Sequence, residues 1–114
     1  MIDLNDIDKI YLYPGTVDLR KGMNTLGYMA SQINKEDGLH KLFLFCNRRM
    51  NLLKIYEKDQ AGVWVYVRRL DDSSFGWPKN IDEAMNISKG ELTWLLSGLK
   101  LIKGPKDSRY LDKY

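Results

Sequence analysis

HKLFLFCNRRMNLLKIYEKDQAGVWVYVRRL, His40 to Leu70, is the stretch on which the fold turns. It contains three runs, HKLFLFCN, NLLKIYEK and GVWVYVRRL, each rich in aromatic, aliphatic or β-branched residues and each of strand length. The joint NRRMN is too short for a crossover helix, so the first two runs predict a hairpin with Arg48 and Arg49 at or near its tip. KDQAG turns the second run into the third, and the three together read as an antiparallel meander. Within the third run, Val63, Val65 and Val67 share one face while Trp64, Tyr66 and Arg68 share the other. Bulk on both faces calls for helices over at least one of them.

Moving outward from the meander, KIYLYPG reads as a short strand stopped by Pro14 and Gly15. Asp18 then reads as the N-cap of a helix from about Leu19 to Asn34, with Leu19, Met23, Leu26, Ala30 and Ile33 on one face. That reading puts Arg20 and Lys21 in the first turn, where the macrodipole is positive and free N–H groups point outward, so an anion is expected opposite them. After the meander, DDSSFGWPKN is rich in turn residues, and Pro78 ends whatever short strand FGW makes. SKGE, Ser88 to Glu91, is a capping box, and Leu92, Leu95, Leu96 and Leu99 form the apolar stripe of a second helix. The expectation is an α+β fold: an antiparallel sheet of about four strands with two amphipathic helices packed against it.

The 114 residues fit a single domain, 1–114, with a core over about 9–102 and a flexible polar tail over 103–114. The apolar runs LFLFC and VWVYV fall far short of a membrane span, and MIDLNDIDKI is unlike a secretory signal, so the expected location is the cytoplasm, away from membranes. The single cysteine, Cys46, has no partner for an internal disulfide and reads as a small buried hydrophobe.

Chemistry that an enzyme would need is missing from the pattern. His40 is the only histidine and has no Cys or His at a metal-ligand spacing, so no metal site is expected. There is no nucleophile elbow, no GxGxxG and no Walker A, and Asp71-Asp72 reads as a solvated turn. The reading is a protein that is not an enzyme, with no catalytic residues, no cofactor and no small-molecule substrate.

What stands out is the placement of charge. The net charge is only +3, but residues 1–19 hold four aspartates against Lys9, while residues 41–70 hold seven cations against Glu57 and Asp59. Three basic doublets, Arg20-Lys21, Arg48-Arg49 and Arg68-Arg69, each fall at the end of a predicted element. Neighbours inside a regular strand point to opposite faces, whereas turns and strand ends can offer both charges to one partner. An anionic polymer suits such a surface. Phe43, Phe45, Tyr56, Trp64, Tyr66, Phe75 and Trp77 lie in the same region, read mainly as core with some available for stacking on bases.

In order and spacing, the blocks VDLRKG, LFLFCNRRMNLLK, RRL, FGWP and ELTWLLSGL resemble the small accessory proteins called TnpB, or Orf-two-like, of the sixty-six type of bacterial insertion sequences, which are distinct from the RNA-guided nuclease of the same name. The resemblance runs from about Tyr11 to Leu99. Asp18 to Gly22 match the family's DMRKG block, Phe43, Phe45, Asn47, Arg48 and Arg49 its F-x-F-x-N-R-R block, and Lys54 a basic position soon after. Arg68, Arg69 and Leu70 match its KRL, and Phe75, Trp77 and Pro78 its F-x-WP, while YEKDQAGVW departs from a tighter WDGDG turn. The resemblance implies an accessory role in transposition beside a separate, larger transposase. Joined to the basic doublets, it gives the expectation of DNA binding through Arg20, Lys21, Arg48, Arg49, Lys54, Arg68 and Arg69. The alternative is a protein-interaction module that docks on the transposase or another accessory protein, without DNA contact, through aromatics such as Trp64, Tyr66 or Trp77.

Overall fold

The run KLFLFC becomes a strand buried along its whole length, Lys41–Cys46, because apolar side chains at five successive positions require cover on both faces. The computed structural model describes residues 3–20, 22–78 and 85–96. Around that strand, β2, the chain lays down β1 (Lys9–Leu12), α1 (Met23–Ile33), β3 (Leu52–Lys58), β4 (Val63–Arg69), the two-residue β5 (Met85–Asn86) and α2 (Lys89–Leu96). Sheet order is β4-β3-β2-β1-β5.

The meander is present as read: β2 pairs antiparallel with β3, and β3 with β4. The sheet is nonetheless mixed and not purely antiparallel, because β1 pairs parallel with β2, Lys9 against Lys41 through Leu12 against Leu44. The cause lies in the connection. A helix between two neighbouring strands makes a βαβ crossover, which returns the chain in the direction it started. Short β5 then closes the far edge antiparallel to β1.

Side chains divide between two layers. On one face Phe43, Phe45 and Tyr56 pack with Leu19 and with Leu26 and Ala30 of α1. On the other, Leu42, Leu44, Leu53 and Ile55 pack with Phe75, Trp77 and with Leu92 and Leu95 of α2. Full burial of each such leucine is worth about 1.5–3 kcal/mol. Gly27 lets α1 lie close to the sheet, since a Cβ there would come within 2.8 Å of the Tyr56 hydroxyl.

Helix α1 starts later than the sequence predicts. Its N-cap is Gly22, not Asp18, and Met23 is half exposed at its first position. Asp18 is engaged elsewhere: its Oδ1 accepts the Arg20 backbone N–H at 3.0 Å, an Asx-type turn that holds this segment out of the helix. At α2 the capping box forms as expected, with Ser88 N–H donating to Glu91 Oε1 at 2.9 Å and Glu91 N–H donating to Ser88 Oγ at 3.1 Å. Leu92 and Leu95 are buried and Leu96 is half-buried, while Leu99 and the 103–114 tail lie outside the described residues. The segment FGW makes a single bridge at Gly76 and no strand. No helix among the described residues is long and apolar enough to cross a membrane.

Candidate nucleic-acid interface

Strand direction sends the basic segments to one rim of the sheet. β1, β2 and β4 all end there and β3 begins there. Beyond β1 the chain keeps company with β2: Tyr13 N–H donates to the Leu44 carbonyl at 2.9 Å and Val17 N–H to that of Cys46 at 2.8 Å. Asp18, Leu19 and Arg20 therefore arrive beside the β2–β3 turn. On the other flank, Leu70 N–H donates to the Asn51 carbonyl at 2.9 Å and ties the end of β4 to the foot of the same turn.

Asn47 builds the turn that carries Arg48 and Arg49. Its Oδ1 accepts the backbone N–H groups of Asn51 and Leu52, both at 3.0 Å, and its Nδ2 donates to Asn51 Oδ1 at 2.8 Å. Met50 N–H closes the turn on the Asn47 carbonyl at 3.0 Å, with Met50 itself in the left-handed region at φ 57°. That conformation is costly for a residue with a Cβ. Offsetting it, the Met50 side chain packs against the α2-side core and its carbonyl accepts the Phe75 N–H at 2.5 Å. Arg48 and Arg49 are both exposed at the tip.

Arg20, Arg48 and Arg49 line one surface cleft of about 470 Å³, floored by Leu19 and Leu52. Asp18 is in it too. Arg20 precedes the helix instead of standing in its first turn, and it forms a two-point ion pair with Asp18, Nε to Oδ1 at 2.9 Å and Nη2 to Oδ2 at 2.7 Å. The guanidinium side chain remains 91% exposed, and the Asp18 carboxylate pushes its already high pKa further up. Lys21 lies outside the described residues.

Arg68 and Arg69 are the last two residues of β4 and remain inside its pairing. They point to opposite faces. Arg69 stands across from Leu52, whose side chain packs on the α1 side, and Arg68 across from Leu53 on the α2 side. Lys54, half-buried and two residues on from Leu52, shares the α1 face with Arg69. The rim thus collects Arg20, Arg48 and Arg49 around one cleft with Arg69 on the same face, while Arg68 faces away. Among the aromatics, Phe43, Phe45, Tyr56, Phe75 and Trp77 are core, and Trp77 Nε1 donates to the Gly15 carbonyl at 2.8 Å. Trp77 is therefore no docking anchor. Trp64 is 63% exposed, and Tyr28 on α1 67%.

The opposite rim has the opposite character. There Asp6, Asp8, Glu36, Asp37 and Asp59 outnumber Lys9, Lys35 and Lys58, and Lys41 is buried with its Nζ donating to the carbonyls of Asn34 (3.1 Å) and Glu36 (2.7 Å). Glu57 is buried, with Oε2 2.5 Å from His40 Nε2 and Oε1 accepting the Tyr66 hydroxyl at 2.5 Å. That hydrogen bond to a carboxylate pushes the Tyr66 phenol up to about 12. His40, Glu57 and Asp59 bring ligand-capable atoms within 4.8 Å of one another. Both Glu57 oxygens are committed to hydrogen bonds, and Asp59 Oδ1 accepts the N–H groups of Ala61 and Gly62, which holds its carboxyl below the usual range.

Sequence reasoning passed over the His40–Glu57–Tyr66 group because its members come from three elements and no local spacing links them. The available signal was register: an acidic residue at an inward position of a strand needs a partner. It also missed Asp18 as the partner of Arg20, two residues away.

The family described as IS66 Orf2 like protein matches residues 8–105. The chain is similar to the uncharacterized protein y4hO of Sinorhizobium fredii, with 33% identity over 92 residues that make up 80% of each chain. No solved structure matches it. With the family match spanning the sheet, the crossover and the rim, the chain belongs to the IS66 Orf2-like family, whose members are accessory proteins of insertion-sequence transposition.

Proposed function

We propose that this accessory protein binds duplex DNA through phosphate contacts along the basic rim. The observation that supports the reading best is the gathering of Arg20, Arg48 and Arg49 around one cleft, with Arg69 on the same face. Guanidinium groups donate in a planar fork suited to phosphate oxygens, and an exposed turn reaches a backbone without displacing core side chains. Stacking on bases has little to work with here: Phe43, Phe45, Tyr56, Phe75 and Trp77 are core, and Tyr66 is half-buried with its hydroxyl on Glu57, which leaves Trp64. The protein therefore acts on the backbone, positioning element DNA for the larger transposase and carrying no chemistry of its own.

The test is fluorescence anisotropy of a labelled duplex across a salt series. Binding is expected to fall linearly on a log–log plot, with a slope of about 0.9 per phosphate neutralised, and Arg48→Ala with Arg49→Ala is expected to flatten it by about two units. No binding at any salt overturns the proposal, and copurification with the transposase in the absence of DNA then favours an interaction module anchored on Trp64.

A further inference from the structure

β4 is a seven-residue strand at the edge of the sheet, with no Pro, no bulge and no strand partner on its outer side among the described residues. Edges of that kind are usually blunted. Here charge is confined to the last two residues, Arg68 and Arg69, and the edge before them is apolar, with Trp64 63% and Val67 60% exposed. The hydrogen bonds from Leu70 N–H to Asn51 and from Asp59 N–H to Gly62 fix the phase of the β3–β4 ladder. In that phase the even-numbered residues of β4 bond to β3, so the N–H and C=O groups of Val63, Val65, Val67 and Arg69 point outward.

We propose that a second copy of this chain pairs with that edge, β4 against β4 antiparallel about a twofold axis at Val65. The self-complementarity is specific to one register. Val65 meets the partner's Val65 and Val63 meets the partner's Val67 on the α1 face, while Trp64 meets the partner's Tyr66 on the other. The aromatic pair falls at a non-hydrogen-bonded position, where side chains stand closest. Charge selects the antiparallel sense. One end of β4 lies at the basic rim and the other at the acidic rim, so the twofold sets each copy's Arg69 diagonally across from the partner's Asp59, whereas a parallel pairing would set like rims together. A twofold contact closes on itself and leaves β5 as the outer edge of the combined sheet. If the basic rim binds duplex DNA as proposed above, the pair presents two such rims facing opposite ways, suited to bridging two duplexes; the dimer itself does not depend on that reading.

Light scattering coupled to size exclusion, over a concentration series without DNA, tests the pairing directly. The expected result is a dimer in which the Val63, Val65 and Val67 amides exchange slowly. Val67→Lys is expected to raise the dissociation constant by more than tenfold and expose those amides, with an unchanged far-UV spectrum. Val67→Pro removes an outward N–H that the single chain does not use and should do the same. A monomer at every concentration overturns the proposal. So does slow exchange of the three amides in a monomer, which would assign the edge to the chain's own C-terminal segment, and so does a dimer indifferent to both substitutions.

Discussion

Arg69 stands directly across β3 and β4 from Leu52, and Arg68 from Leu53. That one-residue step sends the two guanidinium groups to opposite faces, only one of which carries the cleft lined by Arg20, Arg48 and Arg49. Arg69→Ala is accordingly expected to weaken duplex binding and flatten its salt dependence by about one unit, while Arg68→Ala changes the slope little. Equal effects from the two would show that DNA reaches both faces of the rim.

The Asp18–Arg20 ion pair makes a second separation. Asp18→Asn removes a carboxylate from the cleft and frees the Arg20 fork, so affinity for duplex DNA is expected to rise and Arg20→Ala to lower it. Both groups are exposed enough that the melting temperature should barely move in either variant. A melting shift without an affinity change would assign the pair a purely structural role.

Asn47 is expected to be worth more to stability than either arginine it carries. Asn47→Ala leaves the Asn51 and Leu52 N–H groups without their acceptor, at a cost of about 1–3 kcal/mol measured by denaturant unfolding. Asn47→Asp keeps the acceptor but sets a carboxylate oxygen against Asn51 Oδ1, a clash of acceptors that a turn of the Asn51 amide relieves, so it should fall between.

Cys46 is buried among Leu42, Leu44 and Leu53, and burial pushes its thiol up to about 12. The native protein is expected to resist a thiol reagent at neutral pH and to react at the rate of global unfolding. Fast modification under native conditions would contradict the packing.

Tyr66 gives a pH signature. Its folded pKa is raised to about 12 from 10 by the hydrogen bond to Glu57, so the contribution is whole below pH 10 and is lost as pH rises from 10 through about 12. Phenolate absorbance is expected to show Tyr66 titrating late, along with Tyr56, whose phenol burial also pushes up, and Glu57→Gln to bring down Tyr66 and not Tyr56.

Much of this architecture was legible from local pattern. The three strands of the meander, the NRR tip and the SKGE capping box follow from alternation, loop length and one reciprocal hydrogen-bond pair, all short-range signals. A helix between two neighbouring strands implies the parallel β1–β2 pairing, whereas the strand patterns taken one by one suggest an all-antiparallel sheet. The start of α1 differs from its sequence signal for another reason: Asp18 is an equally good partner for an N-cap, an Asx turn or an adjacent guanidinium, and only the fold chooses among them. The sorting of Arg68 from Arg69 needed the strand to run through to residue 69, a boundary that propensity alone does not locate.

The crossover also orders events in time. β2, β3 and β4 find one another across short turns, whereas β1 meets β2 only after the chain from Tyr13 to His40 has been looped back. Closing the longer loop costs more entropy before any contact repays it. The meander is thus expected to form the folding nucleus, with β1 and α1 docking late, and core substitutions at Leu44 or Ile55 should slow folding where Leu26→Ala mainly speeds unfolding. The segment bearing Arg20 would then be among the last parts of the rim to assemble and the first to come loose.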